Sequence, residues 1–166
     1  MSGNVRKRPV VYLETTFVSR LTGWLSRTEN SVRREQLATR EWWRRAEGKV
    51  QAVVSYLVWT EIADGDPECA ARRARAIEGL PMWRQSTEAT VLADALVAAN
   101  AVKKEKRDDA LHIALAVVGG ADVLLSWNFQ DIANGEKLPI IKAVVERAGY
   151  RCPLVTSPDK LPEELP

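Results

Sequence analysis

Four stretches far apart in the chain each place an oxygen-bearing side chain at the end of an apolar run. They are Val10-Val11-Tyr12-Leu13-Glu14, Val53-Val54-Ser55-Tyr56-Leu57-Val58-Trp59-Thr60-Glu61, Asp108-Asp109-Ala110-Leu111-His112-Ile113-Ala114 and Val123-Leu124-Leu125-Ser126-Trp127-Asn128. In an open α/β sheet, ligands and reacting groups collect outside the carboxyl ends of the strands. Glu14, Glu61, an acid of the Asp108-Asp109 pair and Asn128 gathered there form a hard-cation site of the Mg2+ or Mn2+ type. Three carboxylates brought together repel one another unless a cation sits among them. Such a site supplies an activated water and stabilises charge on phosphate, so it points to metal-assisted phosphodiester hydrolysis.

The elements that must position these groups alternate short β-branched runs with amphipathic helical patterns. Val10–Glu14 reads as a strand buried on both faces, followed by a helix capped by Thr15 and Thr16 and running to about Arg27. A polar break precedes a long helix over Val32–Glu47, ended by Gly48. Val50–Ser55 is the second strand, leading into a helix that carries Glu61. Asp66-Pro67 opens another helix to about Glu78, and Met82–Gln85 is a short edge strand. Ser86 or Thr87 caps a helix with the stripe Val91, Leu92, Ala95, Leu96 and Ala99. Asp108 caps the helix from Asp109 to Val118. Val123–Ser126, the most hydrophobic strand, is expected to be central. Asn134-Gly135 turns into a helix over Glu136–Ala148, and Pro153–Thr156 is a last strand. Strands separated by helices imply right-handed βαβ crossovers, hence an α/β fold of three layers, α/β/α, around a mostly parallel sheet.

At 166 residues the chain holds one substantial core. The division expected is a basic N-terminal extension over 1–9, a single domain over 10–157 and a Pro-rich tail over 158–166. No apolar run approaches the roughly 20 residues of a bilayer span, so no membrane partner is expected. Cys69 and Cys152 lack CxxC spacing and read as reduced thiols, which points to the cytoplasm. The net charge of +2 is too small to imply a polyanion partner, and its distribution says more.

With these motifs in order, the chain resembles the PIN-domain nucleases, including the VapC-type toxins of prokaryotic toxin–antitoxin pairs. The resemblance rests on Glu14-Thr15-Thr16, on Glu61, on Asp109-Ala110-Leu111-His112-Ile113-Ala114 and on Ser126-Trp127-Asn128-Phe129, over about Val10 to Thr156. It implies a Mg2+- or Mn2+-dependent endoribonuclease with RNA as substrate, a possible cognate antitoxin and a homodimer, and of the Asp108-Asp109 pair it implies Asp109 as the metal ligand. Two positions depart from the family pattern: Glu14 stands where Asp is usual, and the neutral Asn128 stands where Asp is frequent. Both keep an oxygen donor, but a lost negative charge weakens the hold on a hard dication.

Around the four proposed ligands, Thr16 and Ser126 are candidates to aim the carboxylates by hydrogen bonds. Lone helix histidines are mostly packing residues and a metal-activated water needs no imidazole, so His112 is not expected to be catalytic. Most of the six tryptophans fall where core or dimer packing accounts for them, while Trp59 and Trp127 adjoin the acids and could wall the site. Of the basic clusters, Lys103, Lys104, Lys106 and Arg107 run straight into the acidic motif and are the candidates for phosphate contact. The rival reading is a PIN-fold nucleic-acid-binding protein of weak catalytic power. A receiver-like phosphorylated domain would need a strand-ending aspartate and a later strand-ending lysine, and neither is in place.

Overall fold

The computed structural model describes residues 7–164, so the first six residues of the expected N-terminal extension and the last two of the tail lie outside the described residues. Among the described residues, five strands form one sheet: β1 (Val10–Leu13), β2 (Gln51–Ser55), β3 (Met82–Trp83), β4 (Val123–Leu125) and β5 (Leu154–Thr156), in the order β3-β2-β1-β4-β5. Every neighbouring pair is parallel. The central strand is therefore β1, with β4 beside it, which corrects the expectation for the Val123 run. Burial on both faces makes β1 and β4 continuous apolar runs, as parallel strands covered by helices must be.

Among the described residues, seven α-helices cover the sheet: α1 (Thr15–Thr22), α2 (Asn30–Ala46), α3 (Tyr56–Ile62), α4 (Pro67–Ala76), α5 (Thr87–Ala98), α6 (Arg107–Val118) and α7 (Leu138–Arg147). Gln36, Thr39, Trp42 and Ala46 give α2 a buried stripe at helical spacing, and the Trp42 ring meets Phe17 of α1 edge-on at 5.5 Å between centroids. Ala110 to Val117 of α6 are buried all round, so this helix runs through the core. Where α6 ends, Gly119 lies against the Trp83 ring; a Cβ there would sit 2.2 Å from a ring carbon.

Several boundaries differ from the sequence reading, and two of the differences matter for the site. The cap of α1 is Glu14, not Thr15 or Thr16, and the helix ends at Thr22 because Gly23 turns extended (φ −65°, ψ 151°). Nor does Asp108 cap α6. A 3-10 turn over Lys104–Lys106 feeds directly into a helix that starts at Arg107, which leaves Asp108 exposed in its first turn.

Candidate metal centre

Glu14 follows β1 directly and is buried, with its backbone N–H tied to the Leu125 carbonyl of β4 at 3.1 Å. Its Oε2 accepts from the Thr16 N–H (3.1 Å), the Thr16 hydroxyl (2.5 Å) and the Ser126 hydroxyl (2.8 Å). Thr16 Oγ1 in turn accepts from Trp127 N–H at 2.8 Å, and Ser126 Oγ from Asn128 N–H at 3.0 Å. These two hydroxyls lace the end of β1 to the end of β4 through one carboxylate oxygen. Among the described residues, Oε1 receives no protein donor.

Glu61 reaches the same edge by another route. Ser55 ends β2 and caps α3, its Oγ accepting from Val58 N–H at 3.2 Å, and Glu61 sits on the last turn of that helix. Its Oε1 accepts from Thr15 Oγ1 and from His112 Nε2, both at 2.5 Å. His112 is fully buried, and its Nδ1 lies 2.9 Å from the Tyr12 hydroxyl, which lies 2.7 Å from Ser55 Oγ. Burial opposes charge on both partners, yet their contact prevails: the imidazole is held above its usual pKa and the Glu61 carboxyl below its own. An ionised carboxylate only accepts, so Nε2 carries the proton. His112 is thus a hydrogen-bonded anchor for Glu61, beyond the packing role expected from sequence. Burial also raises the Tyr12 phenol, helped by the charges of Glu14 and Glu61.

Asp109 opens α6 half-buried. Burial, then the charges of Asp131, Glu14 and Glu61, push its carboxyl up to about 6, with His112 opposing. Ligand atoms of Glu14, Glu61 and His112 lie within 4.8 Å of one another. Glu14, Glu61 and Asp109 therefore form one electrostatic unit, with a buried fourth acid, Asp131, coupled to it. Asn128 is engaged differently: its Oδ1 accepts from Asp131 N–H at 3.0 Å, shaping the turn that presents Asp131. The carboxylate pair, each with one oxygen spoken for and one left, together with an aspartate strained by like charge, is a donor set that fits a hard dication.

Asp131 was not singled out in the sequence. The signal was there as an Asn-x-x-Asp turn directly after a strand-end motif. Of the basic stretch, Lys103, Lys104 and Lys106 are exposed, whereas Arg107 pairs with Asp94 of α5 at 2.9 Å. Trp127 packs beside Glu14's partners with its indole N–H on Thr39, while Trp59 is about half exposed on α3.

No protein-family model matches the chain, and no curated protein matches it in sequence. Solved structures do. The structure of VapBC2 from Rickettsia felis bound to a promoter DNA fragment contains a chain that superposes with a TM-score of 0.54 at 12% identity, covering 73% of this chain and 89% of that one. The chain has the fold of a VapC-type PIN domain. Mycobacterium tuberculosis VapC20, described as a sarcin-ricin loop cleaving toxin, aligns at 14% identity over 75% of this chain and 95% of its own, with a TM-score of 0.49. In this fold the acid cluster lies where β1, β2 and β4 end, at the carboxyl edge of the sheet.

Proposed function

We propose that the chain is a Mg2+- or Mn2+-dependent endoribonuclease of the VapC type, acting in the cytoplasm as a homodimer and restrained by a cognate antitoxin. The observation that carries this reading is the acid cluster: Glu14 and Glu61 ligand atoms within 4.8 Å, and Asp109 pushed up to about 6, first by burial and then by the charges of Asp131, Glu14 and Glu61. Glu14, Glu61 and Asp109 would hold the ion, with Asp131 as a further anionic neighbour. Asn128 keeps a place as a neutral donor, since a carboxamide oxygen has a second lone pair besides the one that accepts Asp131 N–H. A bound dication would supply a Lewis acid for the phosphodiester and a water acidic enough to attack near neutrality.

The chain's own residues fix the geometry. Thr16 and Ser126 hold one oxygen of Glu14, and Thr15 and His112 hold one oxygen of Glu61, so each carboxylate enters the reaction in a single orientation. Lys103, Lys104 and Lys106 would give the RNA backbone sequence-independent attraction beside the acids. Arg107 would steady their turn through its pair with Asp94.

Adding Mg2+ or Mn2+ to cation-free protein with RNA tests this reading. Cleavage that needs the ion and stops in EDTA supports it. Ion-independent cleavage overturns it. RNA binding without cleavage favours the second reading, a binding protein of this fold weakened by Glu14 and the neutral Asn128.

A further inference from the structure

A second site lies at the far end of α1 from the acids. Trp24, at 65%, is the most exposed large apolar side chain among the described residues. The Arg72 guanidinium lies over its ring, 3.9 Å from the centroid. Arg27, Arg33 and Arg40 line the same open groove, of about 720 Å3. None of these four arginines has a carboxylate within 4.0 Å among the described residues, whereas Arg20, Arg44, Arg45, Arg107 and Arg151 each do.

The groove is also rigidly held. Arg72 donates from Nε and Nη2 to the Thr22 carbonyl at 3.0 and 2.7 Å, and Arg40 from Nε to Leu21 O at 3.2 Å and from Nη2 to Gly23 O at 2.5 Å. Buried Gln36 pins the loop from within, donating to Trp24 O at 2.8 Å and accepting from Ser26 N–H at 2.9 Å. Capping of the α1 carbonyls accounts for Arg40 and Arg72. It does not account for a solvent-facing indole beneath a guanidinium, nor for Arg27 and Arg33 beside it, which have no carboxylate partner among the described residues, Arg33 donating only to Ser26 O at 3.3 Å.

We propose that this groove is a subsite for single-stranded RNA flanking the scissile bond, with a base stacked on Trp24 and phosphates held by the arginines. An exposed indole with a cation over one face is a stacking platform on the other, and guanidinium forks match phosphate oxygens. An acidic peptide would use the cations but has no need of the platform. The subsite rests on the ribonuclease reading above. The eight residues of α1 separate it from Glu14 by about 12 Å, a gap that a short run of single-stranded nucleotides spans.

Fluorescence anisotropy with a labelled single-stranded RNA of mixed sequence, long enough to span both sites, measures binding by the full chain in EDTA, while cleavage of the same RNA in Mg2+ is followed separately. Trp24→Ala is expected to weaken binding about tenfold, and Trp24→Phe to restore most of it. Arg27→Gln with Arg33→Gln is expected to reduce the slope of log affinity against log salt by about 1.4, roughly 0.7 per lost phosphate contact on a single strand. Trp24, Arg27 and Arg33 are exposed, so these variants should fold, which melting curves check. If wild-type protein binds or cuts the RNA and these variants match it in affinity and slope, the subsite is wrong and the ribonuclease reading stands. If Trp24→Ala abolishes capture of polyglutamate while leaving RNA affinity unchanged, the groove is a protein dock and the subsite is overturned. If wild-type protein neither binds nor cuts RNA with Mg2+ present, both readings fall.

Discussion

His112 Nε2 donates to Glu61 Oε1 across 2.5 Å, and this contact turns a core histidine into part of the site. The chain of bonds continues through Tyr12 to Ser55, which caps the helix bearing Glu61. Glu61 is thus gripped from both ends of its own helix. Losing an outer hydrogen-bond partner of a metal-binding carboxylate typically lowers metal affinity about 10- to 100-fold. His112→Gln should therefore weaken Mn2+ binding by about that factor, with cleavage largely recovered at saturating ion. Titration calorimetry beside a cleavage assay checks this, and cleavage abolished even at saturating Mn2+ would make the imidazole a direct participant.

Asp109→Asn should lower cleavage more than about 100-fold while leaving the fold intact, because a first-turn Asn costs little helix stability. The cation-free variant should also melt higher than wild type, since it removes the charge that Asp131, Glu14 and Glu61 oppose. A His112 variant that loses as much activity as Asp109→Asn would count against a metal-centred reaction.

The pH dependence follows from the same group. The Asp109 carboxyl is raised from 3.8 to about 6, so its contribution to stability is fully present below about pH 3.8 and lost as pH rises through about 6. Solvent screens this half-exposed carboxyl, so the loss is on the order of 1 kcal/mol. With cation the dependence reverses: the ion must displace a proton below about pH 6, so Mn2+ affinity should rise up to about tenfold per pH unit there and level off above. Denaturant melts with and without Mn2+ across pH 4–8 check both signs.

Asn128→Asp should keep or raise activity, because an aspartate still accepts from Asp131 N–H and adds negative charge toward the ion. Asp131→Asn should lower the raised pKa of Asp109 and reduce Mn2+ affinity. Equal metal affinity in wild type and Asp131→Asn would remove Asp131 from the site.

Away from the site, Gly119→Ala should destabilise by about 1–3 kcal/mol through overpacking. Gly119 has an ordinary helical φ of −70°, so sterics against Trp83 alone are at stake. Trp83→Leu in the same chain should recover much of the loss in a chemical melt.

The sequence by itself determined the alternation of buried strands and amphipathic helices, and with it a parallel sheet whose carboxyl edge must receive Glu14 and the groups after β2 and β4. Parallel strands covered on both faces leave an unbroken apolar signature, and the caps at Ser55, Asp66 and Ser86 are local events. Only the tertiary structure decided what each acid touches. That Glu14 caps its own helix, that Asp108 caps nothing, that His112 anchors Glu61 and that Asn128 serves a turn presenting Asp131 all depend on pairings between segments 46 to 112 residues apart or on the path of one turn. Residue type limits which hydrogen bonds a side chain can form. For Glu14 with Ser126, and for Glu61 with Thr15 and His112, which of them it forms is set by the groups that the sheet brings within 3 Å, and no local pattern encodes that.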